Sequence, residues 1–412
     1  MTRTDDVGSG PFLRYWRAAA VSGLGTYVTV FALQALVVLT LDGTAEDVGW
    51  LNSARWLPYL VFGLVVGAIV DGRRRLPLMI GTDVVQAVLL LTIPLLWWLD
   101  LLTLSALMVI VFVYGTAAVV NMAASMSFLP RLVDRADLQP AHARIDGADA
   151  VSSTAGPAIG GLLVSAIGAP FALLLDSLTY LYSALTLQGI EVDEPPARTG
   201  VTVRGLIKDV GEGVRWAYAG SGLRTLAIAT HGWFVGNAII GVVLAPYALL
   251  TLDLTAFEFG MVGAVGGVGA VIGASVTTGV GRRVGTGRTI ILCHLVTTAG
   301  VVSMFLAGQG ESTVDAISLL MVGQGLYGLA MGMSNSHEMS YRQLVTPDEL
   351  QARTNTTLRS LNRAVVVIIA PVAGILADAW GIQILLMAAA ATFALVAVGL
   401  AATSFRNVRA PA

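Results

Sequence analysis

Residues 114–139 read YGTAAVVNMAASMSFLPRLVDRADLQ, and residues 327–351 read YGLAMGMSNSHEMSYRQLVTPDELQ, a diverged copy of the first stretch. Two shorter pairs accompany these stretches: PAIGG from Pro157 with PVAG from Pro371, and GRR from Gly72 with GRR from Gly281. The pairs occur in the same order along the chain. The sequence therefore predicts that one structural plan is used twice.

The composition indicates a membrane protein. Of 412 residues, 56% are hydrophobic and 12% are charged, whereas soluble domains contain about 25% charged residues. Long apolar segments recur, each sufficient to cross a hydrocarbon layer of about 30 Å. They lie at 14–41, 48–70, 77–99, 101–129, 141–166, 169–189, 223–252, 257–280, 288–308, 314–341, 351–379 and 382–404. The sequence predicts an all-α polytopic membrane protein with twelve transmembrane helices.

The charges between these segments alternate in sign from one connection to the next. Bases occupy one set of connections and the C-terminal tail: Arg73, Arg74, Arg75, Arg131, Arg135, Arg198, Arg204, Lys208, Arg215, Arg282, Arg283, Arg342, Arg406 and Arg409. Acids occupy the other set: Asp42, Glu46, Asp47, Asp100, Asp253 and Glu311. Because lysine and arginine mark cytoplasmic loops, we expect both termini to be cytoplasmic. The first segment is too long for a signal-peptide core, so we expect it to be retained.

The longest polar connection, 190–222, divides the chain into two halves of six segments each. Its residues from Val203 to Tyr218 have the spacing of an amphipathic helix, which we expect to lie on the inner membrane surface. The predicted domains are 1–189, the linker 190–222 and 223–412, that is, two pseudo-symmetric six-helix bundles. Parallel repeats of this kind are typical of secondary transporters, in which the substrate site lies near the midplane between the halves.

Several classes of chemistry find no support in the sequence. Cys293 is the lone cysteine and the four histidines lack ligand spacing, so we expect no metal or other cofactor. No GxxxxGK[ST] motif is present, which disfavours direct ATP coupling. A nucleophile–base motif is missing too, so we expect no enzyme, and the composition suggests no nucleic-acid partner.

These features together resemble the major facilitator superfamily, and within it the bacterial macrolide-efflux and enterobactin exporters. Three stretches carry the resemblance: GAIVDGRRR at 67–75, GPAIGG at 156–161, and LVTPDELQAR at 344–353 with its fainter copy LVDRADLQ at 132–139. The resemblance implies the superfamily fold, with twelve helices and a cavity lined by helices 1, 4, 7 and 10. It also implies a bacterial cytoplasmic (inner) membrane.

The first stretch resembles the gating-loop motif of the family. Gly67 and Asp71 match this motif, while the turn with Arg73, Arg74 and Arg75 is about two residues shorter than the usual pattern and lacks the arginine directly after the aspartate. The second GRR copy has Val280 in place of the aspartate. We therefore expect the arginines to set topology and Asp71 to steady the outward-facing state through neighbouring helix ends. For Asp83 we expect a role in anchoring the loop arginines.

The second stretch resembles the motif that marks antiporters, with Gly156, Pro157, Gly160 and Gly161 all matching. Helix 8 has glycines at the same four-residue spacing, at Gly263, Gly267, Gly269 and Gly273. One interpretation is that helices 5 and 8 close tightly against each other between the halves. The alternative is ordinary close packing within one half, which small residues promote in membranes.

Charged residues deep inside apolar segments are functional candidates because they are costly in lipid. Asp149 on helix 5 and Arg363 on helix 11 occupy equivalent positions of the two halves, when Pro157 is aligned with Pro371. A carboxyl group in a partly dehydrated cavity can bind and release a proton as the cavity changes sides. The proton-coupling candidates, in order of preference for the acids, are Asp149, Asp176 and Glu338, together with Arg363. For Asp176 a structural hydrogen bond to Ser177 or Thr179 is an equal alternative.

Polar residues form stripes on several otherwise apolar helices. The cavity candidates are Thr26, Tyr114, Asn121, His231, Trp233, Asn237, Gln324, Tyr327 and Ser334. In the family these helices line the central cavity, and such a lining suits bulky amphipathic or weakly cationic compounds. The alternative is interhelical hydrogen bonding, worth about 0.6 kcal/mol per bond.

The sequence thus predicts proton-driven export of small amphipathic molecules by alternating access, the substrate being a drug, an antibiotic or a siderophore. A facilitator or lipid flippase of the same fold is the alternative, and a sensor or membrane enzyme is disfavoured. The expected partners are the small-molecule substrate, protons and the lipid bilayer, and we expect a monomer.

Overall fold

The computed structural model describes residues 10–71, 73–192, 194, 203–219 and 222–409. These residues form thirteen α-helices. In chain order they are α1 (Gly10–Ala35, extended by a π-helical turn Leu36–Thr40), α2 (Ala45–Asp71), α3 (Arg75–Trp98), α4 (Leu104–Leu132), α5 (Leu138–Ile167), α6 (Ala169–Gln188), α7 (Val203–Tyr218), α8 (Arg224–Pro246, extended by a π-helical turn Tyr247–Thr251), α9 (Ala256–Val284), α10 (Thr286–Ala307), α11 (Thr313–Val345), α12 (Asp348–Trp380) and α13 (Ile382–Ala401).

The predicted helical membrane architecture is confirmed. Within the described part of the chain, 11 helices are long and apolar enough to cross a membrane. The helix α2, with 27 residues, coincides with the remaining predicted segment. Outward-facing side chains are apolar too: Leu185, Ile368 and Leu395 are 68%, 61% and 71% exposed. Such exposure is unfavourable in water and favourable in lipid.

Two connections repeat each other in sequence and in shape. LTLDGTA at 39–45 joins α1 to α2, and LTLDLTA at 250–256 joins α8 to α9. In both, a π-helical turn ends the first helix, and Asp42 and Asp253 follow with φ of 50° and 52°. Aspartate tolerates this left-handed conformation better than most residues. The pair is a fourth match between the halves, which the sequence comparison missed.

Three helix pairs are joined by a single glycine. Gly168 joins α5 to α6, Gly285 joins α9 to α10, and Gly381 joins α12 to α13. Their φ angles are 84°, 93° and 100°, a region that residues with a Cβ rarely adopt. The glycine lets the chain leave one helix and enter the next without a longer loop.

Contacts divide the chain into two units. The first comprises Met1–Leu41 and Ala54–Val203, and the second comprises Asp42–Ser53 and Arg204–Ala412. In the first unit α1 packs on α5 and α6, and α3 packs on α4 and α6. In the second unit α8 packs on α12 and α13, and α10 packs on α11 and α13. The helix pairings are the same in both, as an internal repeat requires.

Several glycines of the predicted helices 5 and 8, which are α5 and α9 in the structure, pack within their own units. A Cβ on Gly160 would come within 3.2 Å of Phe31 in α1, and Gly156 lies against Tyr27 of the same helix. In the second unit, Gly269 of α9 lies against Gly325 of α11. At these positions the alternative, close packing within one half, is present, because the absence of a side chain lets two backbones approach. The closure of helix 5 on helix 8 stays a prediction.

We predict that Gly328→Ala destabilises the second unit. A Cβ at Gly328 would lie 2.8 Å from the carbonyl carbon of Gly266 in α9. Overpacking of this kind costs about 1–3 kcal/mol. Thermal unfolding in detergent, followed by tryptophan fluorescence, should give a lower midpoint for this variant. Gly399→Ala is the control, since a Cβ there meets nothing within 4 Å. Equal midpoints for both variants would contradict the close α9–α11 packing.

Candidate functional site

The first unit contains a cavity of about 750 Å³. Side chains from all helices α1 to α6 form its wall, among them the aromatic rings of Tyr15, Trp56 and Tyr59 and the carboxyl groups of Asp83 and Asp149. Ligand cavities of about 300–1,000 Å³ accommodate drug-sized molecules. The cavity is therefore large enough for a small organic compound and offers it both aromatic and polar contacts.

Three hydroxyl groups form a chain along one side of the cavity. The Thr26 Oγ1 and Tyr180 Oη atoms are 2.8 Å apart, and the Tyr180 Oη and Tyr114 Oη atoms are 2.7 Å apart. The chain joins α1, α6 and α4. Thr26 and Tyr114 were expected in a cavity, and both line this one.

The Asp83 carboxylate lies in the same wall and is only 3% exposed. The Asn121 amide donates to its Oδ1 at 2.7 Å, and the Ser183 hydroxyl donates to its Oδ2 at 2.6 Å. These bonds connect α3 to α4 and α6. The prediction that Asp83 anchors the loop arginines is wrong, because its hydrogen-bond partners come from neighbouring helices.

The arginine loop is held by an acid that the sequence reading did not single out. Glu194 accepts hydrogen bonds from the backbone N–H groups of Arg75 at 2.6 Å and of Leu76 at 2.8 Å, where α3 begins. A carboxylate at a helix N-terminus is stabilised by the helix dipole. The Nη1 atom of Arg131 lies 3.7 Å from the same carboxylate. Glu194 thus ties the linker to the ends of α3 and α4.

Four further residues were predicted to belong to the gating loop. Arg73 and Arg74 are exposed. The surroundings of Gly67 and the side chain of Asp71 lie outside what the structure describes, so the role expected for Asp71 stays a prediction.

Asp149 is the acid most open to the cavity. It is exposed and lines the wall, and the Tyr27 hydroxyl donates to its two oxygens at 3.2 and 3.3 Å. Arg55 of α2 lines the cavity as well, with its guanidinium carbon 5.2 Å from the centre of the Trp56 ring. The cavity therefore combines two acids with one base.

Asp176 is buried at 1% exposure. The hydroxyl of Thr29 donates to it at 2.5 Å and that of Thr179 at 2.6 Å. Gly25 leaves room for the carboxyl group, because a Cβ there would collide with it. These contacts tie α1 to α6 and agree with the structural alternative that the sequence left open for this residue.

Polar side chains along one face of α11 form hydrogen bonds and ring contacts with α8 within the second unit. The Tyr327 hydroxyl donates to Asn237 Oδ1 at 2.5 Å, and the Trp233 ring stacks on Tyr327 with centroids 6.4 Å apart. Glu338 accepts from Ser334 at 2.6 Å and from Thr230 at 3.2 Å. For these residues the interhelical hydrogen bonds named as the alternative are present.

Two further candidates in the second unit lie against neighbouring helices. The side-chain amide oxygen of Gln324 would lie 3.2 Å from a Cβ on Gly266 of α9. The guanidinium carbon of Arg363 lies 5.9 Å from the centre of the Phe234 ring, within cation–π distance.

His231 was expected to line a cavity, which stays a prediction, and it contacts the linker helix. Its Nδ1 lies 2.7 Å from Asn362 Oδ1 of α12, and its Nε2 hydrogen-bonds the Tyr218 hydroxyl of α7. The two rings also stack, with centroids 6.0 Å apart. Burial raises the pKa of Tyr218, so its hydroxyl remains protonated and able to donate.

The linker helix α7 packs on protein. Glu212 forms an ion pair with Arg353 of α12. Ala217 is fully buried in an apolar cluster that includes Leu223 and Phe405, and Trp216 packs against this cluster. The C-terminal end of α7 therefore packs on the second unit, and the expectation that this helix lies on the inner membrane surface stays a prediction.

Four residues of the cavity wall and the linker were not among the predicted candidates: Arg55, Gln86, Tyr180 and Glu194. Arg55 could have been found, because it is a charge inside a predicted apolar segment. Gln86 could have been found from its spacing to Asp83, three residues along one helix. Glu194 lies in the polar connection that follows α6. Nothing in the sequence distinguishes it there from the other acids of this connection.

The fold and the cavity together define a polytopic helical membrane protein of the transporter type. The family model described as Major Facilitator Superfamily matches residues 16–371 and 226–411. The chain belongs to the major facilitator superfamily. This is a family of transporters, not of enzymes.

Relatives among characterised proteins are distant and partial. The chain is 28% identical over 227 residues to Multidrug efflux pump Tap of Mycolicibacterium fortuitum, covering 53% of this chain and 55% of Tap. It is 23% identical over 266 residues to Macrolide efflux protein A of Streptococcus pyogenes, covering 62% and 65% of the two chains. The first match thus spans about half the length of the relative.

Solved structures agree on the fold over nearly the whole chain. The crystal structure of nucleoside transporter NupG superposes with a TM-score of 0.74 at 11% identity, covering 95% of this chain and 98% of NupG. A bacterial homologue of the iron transporter ferroportin, in an inward-facing state, gives 0.69 at 16% identity, covering 94% and 98%. At such identities the likeness concerns the fold alone.

We predict that water-soluble reagents reach the cavity wall. In a Cys293→Ser background, Ser22→Cys should react with a water-soluble maleimide roughly tenfold faster than Ser177→Cys, because thiol reactivity requires access. Ser22 lines the cavity, whereas Ser177 is 2% exposed and hydrogen-bonded to the Ala87 carbonyl. Labelling rates in detergent measure the difference. Equal rates at the two positions would contradict an open cavity in the first unit.

Proposed function

We propose that the protein is a secondary active transporter that exports small amphipathic molecules in exchange for protons, by alternating access. The observation that carries the proposal is the cavity of about 750 Å³ in the first unit, with an exposed acid in its wall. A drug or antibiotic is the substrate class that agrees with the names of the relatives, a multidrug efflux pump and a macrolide efflux protein. A siderophore remains within the proposed range of sizes.

The lining supports an amphipathic substrate. The rings of Tyr15, Trp56 and Tyr59 provide flat apolar contacts, and the hydroxyl and amide groups on α4 and α6 provide hydrogen bonds. Aromatic side chains bury a large area without demanding one particular shape. A cavity built this way supports recognition by size and polarity rather than by one fixed pattern of hydrogen bonds.

Asp149 is the proposed proton carrier. It is exposed, and its hydrogen-bond donor among the described residues is the hydroxyl of Tyr27, so a proton or a substrate can reach it from the cavity. Asp176 is closed off by Thr29 and Thr179, which supports a structural role for it. Glu338 belongs to the second unit and is the further candidate there.

Proton coupling fits the absence of an ATP-binding motif in the sequence. We place both termini on the cytoplasmic side of a bacterial cytoplasmic membrane, in line with the arginine-rich connections. The proposed functional form is the monomer in a lipid bilayer.

Transport in liposomes tests the proposal. Purified protein should move ethidium or erythromycin against its concentration gradient when a proton gradient is imposed. Asp149→Asn should abolish the response to the gradient, because the amide cannot carry the proton. Asp146→Asn is a matched control: Asp146 lies one turn earlier on α5, is exposed, and is not part of the cavity wall.

The outcomes separate the mechanisms. Accumulation that follows the imposed gradient in the wild type and in Asp146→Asn, and is lost in Asp149→Asn, supports proton exchange at Asp149. Equilibration of the substrate without any response to a gradient of either sign would refute proton coupling and favour a facilitator.

A further inference from the structure

A second, smaller cavity lies in the second unit, where the C-terminal residues fold back against the start of α10. Its volume is about 210 Å³. The wall consists of two valines, one asparagine and three arginines: Val284, Val408, Asn407, Arg288, Arg406 and Arg409. This volume lies below the range of about 300–1,000 Å³ that encloses a drug-sized molecule. The cavity can therefore hold a small charged group, but not a whole drug.

The fold of the chain brings these arginines together. Phe405, which follows α13, is 3% exposed and is buried in the apolar cluster of the second unit. The Gly287 N–H donates to the Val408 carbonyl at 3.0 Å. The Arg409 side chain lies over Gly285, since a Cβ on this glycine would come within 3.3 Å of the arginine Cγ. The C-terminal residues are thus fixed against α10, and their arginines line the same cavity as the arginine of that helix.

The charges around this cavity are not neutralised by neighbouring acids. Arg288, Arg406 and Arg409 are all exposed, and no acid in the described part of the chain forms an ion pair with them. Arg406 reaches the carbonyl of Ala401 at 3.5 Å, which is a neutral and distant acceptor. Like charges that converge repel one another, so an anion in the cavity stabilises the arrangement. The first turn of α10, which carries Arg288, adds the positive end of its helix dipole.

The face of α10 that leads away from the cavity is apolar and exposed. Arg288, Leu292 and Leu295 are spaced i, i+4 and i+7, so they share one face of the helix. Leu292 is 41% exposed and Leu295 is 48% exposed. In a membrane such a face contacts acyl chains. A phospholipid presents a phosphate group and then acyl chains in this same order, which favours a lipid phosphate over a phosphate dissolved in water.

We propose that this cavity binds the phosphate group of an anionic phospholipid such as phosphatidylglycerol. The guanidinium groups of Arg288, Arg406 and Arg409 donate charge-assisted hydrogen bonds to the phosphate oxygens, and the acyl chains lie along Leu292 and Leu295. Each arginine near the membrane surface strengthens the binding of an anionic headgroup roughly fivefold. The inference goes beyond the proposed transport function and requires only that this end of α10 lies at the membrane surface.

Native mass spectrometry of the purified full chain in detergent tests the site. The chain is titrated with phosphatidylglycerol and with phosphatidylcholine of the same acyl chains. The measured quantity is the ratio of the dissociation constants for the first bound lipid. Both lipids contain a phosphate, but the choline group adds a positive charge that the arginines repel. Wild type should prefer phosphatidylglycerol by roughly tenfold or more.

The variants locate that preference. The pair Arg406→Gln/Arg409→Gln should bring the ratio close to one, and Arg288→Gln, which leaves the C-terminal residues unchanged, should lower it roughly fivefold. Arg17→Gln/Arg135→Gln is the matched control, because both arginines are exposed, lie in the first unit and remove the same charge as the test pair. This control should keep the wild-type ratio.

Glycerophosphoglycerol, which is the headgroup of phosphatidylglycerol without its acyl chains, distinguishes a lipid from a soluble anion. Added at the concentration of the lipid, it should leave the bound phosphatidylglycerol in place, because it cannot contact the exposed leucines of α10. Displacement of the lipid by this headgroup would assign the cavity to a soluble phosphate ester and overturn the proposal.

The other outcomes also decide. A wild-type ratio near one overturns the site, and so does an unchanged ratio in Arg406→Gln/Arg409→Gln. If this pair does not fold, the ratio in Arg288→Gln decides in its place. An equal fall of the ratio in the control pair overturns the site as well, because the preference would then depend on net charge alone. Transport is not measured in these titrations, so the loss of the site leaves the proposed function standing.

Discussion

Polar groups inside a membrane must find their partners within the protein, because lipid offers none. The first unit meets this constraint by pairing each buried acid with donors from adjacent helices. Asp176 links α1 to α6, and Asp83 links α3 to α4 and α6. The hydroxyl chain from Thr26 to Tyr114 adds a third set of links. The same bonds that hold these helices in register also place polar atoms along the cavity, so packing and recognition share one set of residues.

The two units have corresponding helix pairings, but their polar residues make different contacts. Their helix pairings correspond, and so do the LTLD connections at 39–42 and 250–253. The first unit keeps a ligand-sized cavity with Asp149 exposed to it. In the second unit the candidate residues are engaged by neighbouring helices, as in the Tyr327–Asn237 bond and in the contact of His231 with α7. The repeated helix arrangement is therefore common to both units, whereas the polar residues on it differ.

The sequence predicted the helices and not the contacts between them. Apolar length and alternating loop charge are properties of single segments, so the membrane helices followed directly. Which face of a helix meets which neighbour depends on packing, and the error lies there: Asp83 was assigned to the loop arginines, whereas its hydrogen-bond partners are Asn121 and Ser183. Gly156 and Gly160 contact α1, which is the packing within one half that their spacing left as one of two alternatives. Glu194 gains its importance from Arg75 and Leu76, which are distant from it in sequence.

The central claim is that a cationic amphipathic substrate and a proton use the same cavity of the first unit. Calorimetric titration with ethidium tests it most directly, because ethidium carries a permanent charge and has no proton of its own to release. The binding heat is measured in two buffers that differ in protonation enthalpy. The account predicts heats that differ between the buffers, which reports protons leaving the protein on binding, and a smaller difference in Asp149→Asn. Binding with identical heats in both buffers at every pH tested would contradict it.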